Sequence, residues 1–156
     1  MSQSLSRVLI HLIFGTKKRE RCLAYPALRE QLDAYMVGIL RNIDSPALQV
    51  KSVIDHVHIL YVQSRTRSVS DVVGTVKRES SAWIKTWEQD RKDPFLMKFA
   101  WQTGYAAFSV SESKVMEVKR YIQNQEEHHR RATFQDEYRE FLTRHGVQFD
   151  EKYVWD

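Results

Sequence analysis

The stretch that most constrains the fold is ALQVKSVIDHVHILYVQ, residues 47–63. It is rich in β-branched and aromatic side chains, yet it is about three times as long as a usual strand of roughly 5–6 residues. Asp55 is a poor strand residue and a good turn residue, so the run divides into a strand over 48–53, a tight turn at Ile54 and Asp55, and a second strand over 56–63. His56 and His58 then open the second strand, and the two-residue period sends both imidazoles to one face and Val57 and Ile59 to the other. An apolar strand is an unfavourable place for two imidazoles unless they find partners.

Other segments assemble around this hairpin. RVLIHLIFGT predicts a strand over 8–14, closed by Gly15 and the basic run Lys17, Lys18, Arg19 and Arg21. Leu28, Leu32, Ile39, Leu40 and Ile43 recur at helical spacing after Pro26, and Asp44-Ser45-Pro46 ends that helix. Ser68 and Asp71 form a capping pattern ahead of a second helix with Val72, Val73, Val76, Trp83, Ile84 and Trp87 on one side. Its tryptophans read as core. One or two strands are expected around Gly104, then a long helix over 109–131 with Ser109 and Glu112 as its capping box, then a short helix over 134–145 stopped by Gly146. The order strand, helix, strand, strand, helix, strand, helix suggests an α+β fold, a ferredoxin-like (RRM-like) antiparallel sheet with helices packed on one face.

At 156 residues, 42% hydrophobic and 28% charged, the composition fits one globular domain and excludes a disordered or fibrous chain. Cys22 is the sole cysteine, so an intrachain disulfide and a Cys-rich zinc site are both excluded. The apolar stretch near the N-terminus is too short for a membrane span and in the wrong order for a signal peptide, which leads to the expectation of a cytoplasmic protein with no membrane partner. Residues 126–156 hold eight acidic and five basic side chains, leaving +7 on residues 1–125. Such a basic body suits a polyanionic partner.

Two histidines on one strand face can hold a divalent cation if a third ligand arrives from another element, although an H-x-H pair serves equally as structure. Tyr121 and Gln125, four apart, project from one side of the long helix. Tyr121 could be a nucleophile or an amphipathic boundary residue, and Gln125 could lend a carbonyl oxygen to a metal. His128 falls near that side and is read as solvated, outside the site; His11 is read as a satisfied sheet histidine or a pocket border. Lys17, Lys18, Arg19 and Arg21 suit phosphate contacts, as do Lys77, Arg78 and Lys85, and either group could instead be a solvated face.

HLIFGTKKR at 11–19, DHVH at 55–58, WQTGY at 101–105 and YIQNQ at 121–125, in this order, resemble the HUH single-tyrosine transposases of insertion sequences that move as single-stranded DNA, and their REP-associated tyrosine transposase relatives. The resemblance implies a catalytic domain over residues 1–132 with residues 133–156 as its C-terminal helical tail. It implies an enzyme that nicks and rejoins single-stranded DNA through a 5′-phosphotyrosine. Tyr121 would be the nucleophile, and His56, His58 and Gln125 the ligands of a divalent metal ion, magnesium or manganese. The implied partners are single-stranded DNA with a hairpin, met by the basic loop, and a second copy of the chain in a homodimer. In such dimers the tyrosine helix reaches the histidines of the other protomer, and Ser109 to Ser113 would be the hinge. A bidentate carboxylate ligand is not needed beside the histidines, and no carboxylate-rich cluster lies near the pair in the sequence. The sequence departs from the family in having Ser-Val-Ile before Asp55, where an apolar residue and then proline are common. Two other functions stay open: a non-catalytic ferredoxin-like module that binds single-stranded nucleic acid and needs no metal, and a hydrolytic metal enzyme in which Tyr121 is incidental.

Overall fold

The computed structural model describes residues 2–87 and 93–156. Its elements are β1 (Leu9–Gly15), α1 (Pro26–Asn42), β2 (Ala47–Ser52), β3 (His56–Val62), α2 (Val69–Thr86), α3 (Pro94–Met97), β4 (Ala106–Val110), α4 (Val115–Gln123), α5 (Gln125–His128) and α6 (Phe134–Arg144). The strands form one antiparallel sheet in the order β2-β3-β1-β4, the ferredoxin-like arrangement. The hairpin turns where expected, with Val53 N–H donating to the His56 carbonyl at 2.9 Å, so the turn closes without the proline.

Strand alternation divides the sheet into two faces. Ile10, Leu12 and Phe14 of β1 and Val57, Ile59 and Tyr61 of β3 pack against Leu28, Leu32, Met36 and Leu40 of α1 and Val72, Val76 and Ile84 of α2. Ser68 caps α2 by accepting from Asp71 N–H at 3.0 Å, a contact that contributes about 1 kcal/mol. The tryptophans behave as core: Trp87 and Trp101 are buried, and Trp101 Nε1–H donates to Ser80 Oγ at 2.9 Å.

The opposite face bears His11, Ile13, His56, His58, Ala106 and Phe108, all buried. The expected layout covers one face of the sheet; here a second layer, α4 to α6, covers the other. Phe134, Tyr138 and Leu142 of α6 pack on Ile13, Ala106 and Phe108. The expected long helix over 109–131 is broken. Ser109 and Val110 belong to β4, so the Ser109–Glu112 capping box does not form, and Glu112 pairs with Arg7 at 2.8 Å. A 3-10 turn at Glu112–Lys114 leads into α4, and Asn124 separates α4 from α5.

At the edge of the first core, Asp33 of α1 accepts from Ser52 N–H at 2.9 Å. Burial pushes its carboxyl up to about 6, against the opposing pull of Ser52, Lys51 and Arg29. The folded value exceeds the unfolded one, so the folded state binds more protons in between. Its stabilising contribution is full below the unfolded value of about 4 and lost as pH rises through 6. Asp33→Asn, whose amide oxygen can still accept from Ser52, should therefore raise the melting temperature at pH 7–8. The gain should vanish below about pH 4 in a calorimetric pH series.

Candidate active site

The site is built on the start of β3. His56 and His58 are fully buried rather than set at a pocket mouth. His56 Nδ1 lies 2.7 Å from Asp55 Oδ1, so the ring donates its Nδ1–H to the carboxylate and turns Nε2 toward Glu137. That Nε2 has no hydrogen-bond partner among the described residues. His58 Nδ1 stands 2.9 Å from His11 Nε2, which makes His11 a direct neighbour of the pair. Burial holds both His11 and His58 below the ordinary imidazole range, so both rings are neutral near pH 7.

Tyr121 of α4 meets the pair within the same chain. Its ring centroid is 5.7 Å from that of His58, and its hydroxyl donates to Glu137 Oε2 of α6. Burial, then the Glu137 charge, raises the phenol above its ordinary range, so the hydroxyl rests protonated. Tyr121 also borders a cleft of about 840 Å³ lined by His11, Phe108, His128, Phe141 and Arg144, open to an incoming chain. Gln125 is fully buried one turn after Tyr121. Its Nε2–H donates to the Tyr121 carbonyl at 3.3 Å, and its Oε1 lies 2.9 Å from His129 Nε2.

Glu137 was not foreseen: α6 brings a single carboxylate to the histidines from far along the chain. Its carboxylate is 2.8 Å from His58 Nε2, 2.9 Å from His128 Nε2 and 3.6 Å from His56 Nε2. Burial opposes its ionisation, but the His58 N–H, the surrounding imidazoles and the Tyr121 hydroxyl outweigh this and hold it below the usual carboxylate range. His128, read as solvated, belongs to this group, and the segment read as an appended tail supplies the group's centre. No spacing rule links Glu137 to residues 79 and 81 positions earlier on another element; the one sequence sign was an amphipathic helix, Phe134, Tyr138 and Leu142, with no stated face to cover. Ligand atoms of His56, His58, His129 and Glu137 all lie within 4.8 Å of one another. Imidazole nitrogens with one carboxylate are a fitting donor set for a divalent transition metal, and the orphaned His56 Nε2 points to the same use.

The basic loop leaves β1 beside this site. Thr16 N–H donates to the Asp55 carbonyl at 2.8 Å, and Lys17, Lys18 and Arg19 follow in an exposed 3-10 turn in which Lys18 and Arg19 adopt positive φ. Arg21 lines a second cleft with Asp55 and His129. The other basic group is not free as a unit, because Lys77 Nζ donates to the carbonyls of Gln102, Thr103 and Gly104 at 2.8, 3.1 and 2.7 Å. Gln102, from WQTGY, clasps the end of β1: its Oε1 accepts from Gly15 N–H at 2.6 Å, opposite His56 in the β1–β3 register.

A four-stranded ferredoxin-like sheet thus carries a buried histidine pair, with Tyr121 on α4 and Gln125 on α5 of the layer that covers it. The family described as "Transposase IS200 like" matches residues 4–125, and the chain belongs to it. Among solved structures, a candidate transposase from Deinococcus radiodurans R1 is similar with a TM-score of 0.61 and 22% identity, over 80% of this chain and 98% of that one. A REP-associated tyrosine transposase bound to a REP hairpin is similar with a TM-score of 0.55 and 12% identity, over 83% of this chain and 74% of that one. No curated protein matches. Among the described residues no helix is long and apolar enough to cross a membrane.

Gly15 lets α6 approach the histidines. A Cβ there would stand 2.8 Å from Phe134 Cε1 and 3.1 Å from Gln102 Oε1, while Phe134 stacks on His56 with centroids 4.2 Å apart. Gly15→Ala should push Phe134 off His56 and destabilise the protein by about 1–3 kcal/mol, read by denaturant unfolding.

Proposed function

We infer that this transposase cuts and rejoins single-stranded DNA through a covalent 5′-phosphotyrosine on Tyr121, with a divalent ion held by His56, His58 and Gln125. The observation that supports it best is the convergence, inside one chain of the transposase family, of the Tyr121 hydroxyl and the His58 imidazole on a single carboxylate beside an open cleft. When bound, magnesium or manganese polarises the scissile phosphate and stabilises the departing 3′ oxygen. The Tyr121 hydroxyl gives its proton to Glu137 Oε2, its hydrogen-bond acceptor, as its oxygen forms the new bond to phosphorus; the bond from phosphorus to the 3′ oxygen breaks, and that oxygen takes up a proton to become a hydroxyl. The phosphotyrosine ester keeps the diester's bond energy, so a free 3′ hydroxyl can reverse the step and join another end without ATP.

Lys17, Lys18, Arg19 and Arg21 are placed to hold the phosphates of a strand or hairpin that enters beside Asp55 and His56. The hairpin reading gains support from the REP hairpin bound by the similar structure. A homodimer would hold two DNA ends for exchange. Tyr121 faces His58 of its own chain, which supports a site complete within each protomer over one shared between two.

Tyr121→Phe should abolish a denaturation-resistant protein–DNA band formed with labelled single-stranded oligonucleotides and manganese, while binding stays nearly intact, since the ring still packs. A band that persists in this variant would overturn the assignment. Mixing Tyr121→Phe protein with the His56→Ala, His58→Ala double variant should recover no cleavage once subunit exchange is confirmed. Recovery would mean that sites are shared between chains.

A further inference from the structure

Residues 126–156 lie beyond the segment that matches the family, yet α6 carries Glu137 into the midst of the imidazoles. The two carboxylate oxygens face different partners. Oε1 lies 2.8 Å from His58 Nε2 and 3.6 Å from His56 Nε2. Oε2 accepts the Tyr121 hydroxyl and lies 2.9 Å from His128 Nε2.

We propose that Glu137 is itself a metal ligand: with His56, His58 and His129 it forms a three-imidazole, one-carboxylate site for a borderline divalent ion such as manganese, in preference to magnesium. This rests on the metal-dependent reading above, and it puts Glu137 and His129 in the ligand position given there to Gln125, whose Oε1 lies 2.9 Å from His129 Nε2. The first support is the gap between His56 Nε2 and Glu137 Oε1. His56 Nε2 lies 3.6 Å from Glu137 Oε1 in a fully buried site and has no hydrogen-bond partner among the described residues, whereas Oε1 is met by His58 Nε2 at 2.8 Å. A cation seated beside that oxygen would give the orphaned nitrogen a partner, and a buried polar atom without one is unfavourable.

The second support is orientation. Asp55 holds the outer nitrogen of His56, His11 faces that of His58, and the Ala132 carbonyl lies 3.1 Å from Nδ1 of His129. Metal-ligating imidazoles are fixed in this way, through the nitrogen that does not bind the ion. His129 Nε2 lies 2.9 Å from Gln125 Oε1 and 3.8 Å from Glu137 Oε2, and it serves as a ligand when the ring hydrogen sits on Nδ1, facing Ala132. The third support is charge and softness. A buried carboxylate offers a negative charge that a dication neutralises, and a nitrogen majority favours transition metals over the oxygen-seeking magnesium. Because Oε2 stays with Tyr121, one side chain would then set the nucleophile's position relative to the ion.

Calorimetric titration of the full chain with manganese tests this. Wild type should bind manganese more tightly than magnesium, and Glu137→Gln, nearly isosteric, should weaken manganese binding about 10–100-fold. In wild type, manganese should also slow amide hydrogen exchange across residues 134–142, because ligation ties α6 to β3; this measurement needs no variant to fold. Manganese affinity that is unchanged or tighter in Glu137→Gln, or exchange in α6 that speeds up on loading, would show a carboxylate displaced by the ion and would overturn the inference alone. Failure of wild type to bind manganese, or equal binding by the His56→Ala, His58→Ala variant, would instead overturn the metal-dependent reading itself and this inference with it.

Discussion

One buried carboxylate organises this protein. Glu137 is an ion in a dry place, which is unfavourable by several kcal/mol unless hydrogen-bond donors surround it. The site meets that demand with His58, Tyr121 and His128, three residues from β3, α4 and α5. Each of these depends on the carboxylate in turn. Without it His58 loses the partner of its Nε2, the Tyr121 hydroxyl loses its acceptor, and α6 keeps only its apolar contacts with Ile13, Ala106 and Phe108.

The sheet makes this arrangement rigid. β3 lies between β2 and β1, paired on both sides, so the backbone that carries His56 and His58 has no freedom to shift. Its other side chains, Val57, Ile59 and Tyr61, are anchored in the larger core against α1 and α2. Thus one face of a single strand supplies stability and the other chemistry. The end of β1 is held equally firmly, by Gln102 on Gly15 and by Thr16 on Asp55, and both contacts lie next to His56. WQTGY, far from the histidines in sequence, acts here as a clasp: Trp101 sits in the core and Gln102 grips the strand.

The second layer gives the active site its two opposed properties. Phe134 and His129 close over His56 and exclude water from the histidines. Tyr121, by contrast, stays at the border of the cleft formed with Phe108, Phe141 and Arg144. Tyr121 is thus half-buried at a cleft, while His56, His58 and Glu137 lie in a low-dielectric interior, where charge interactions are stronger.

How much of this could be read from the chain follows from the range of each interaction. The hairpin turn at Asp55, the Ser68 cap, the facing of His56 and His58 and the one-turn spacing of Tyr121 and Gln125 are local. Backbone preference and helix or strand period determine them within a few residues, and the structure agrees with each. Where local signals competed, reading failed: Ser109 could cap a helix or extend a strand, and pairing with β1 decided for the strand. The break at Asn124 and the approach of His128 to Glu137 likewise depend on neighbours distant in sequence. The sequence by itself determined the ferredoxin-like sheet, the histidine pair and the helix that bears Tyr121, because periodicity and turn chemistry act over short spans. Only the tertiary structure decided that α6 covers the second face and that Glu137 stands between tyrosine and histidine. A carboxylate's partners are chosen by which surfaces meet when apolar faces are buried, and no local pattern encodes that meeting.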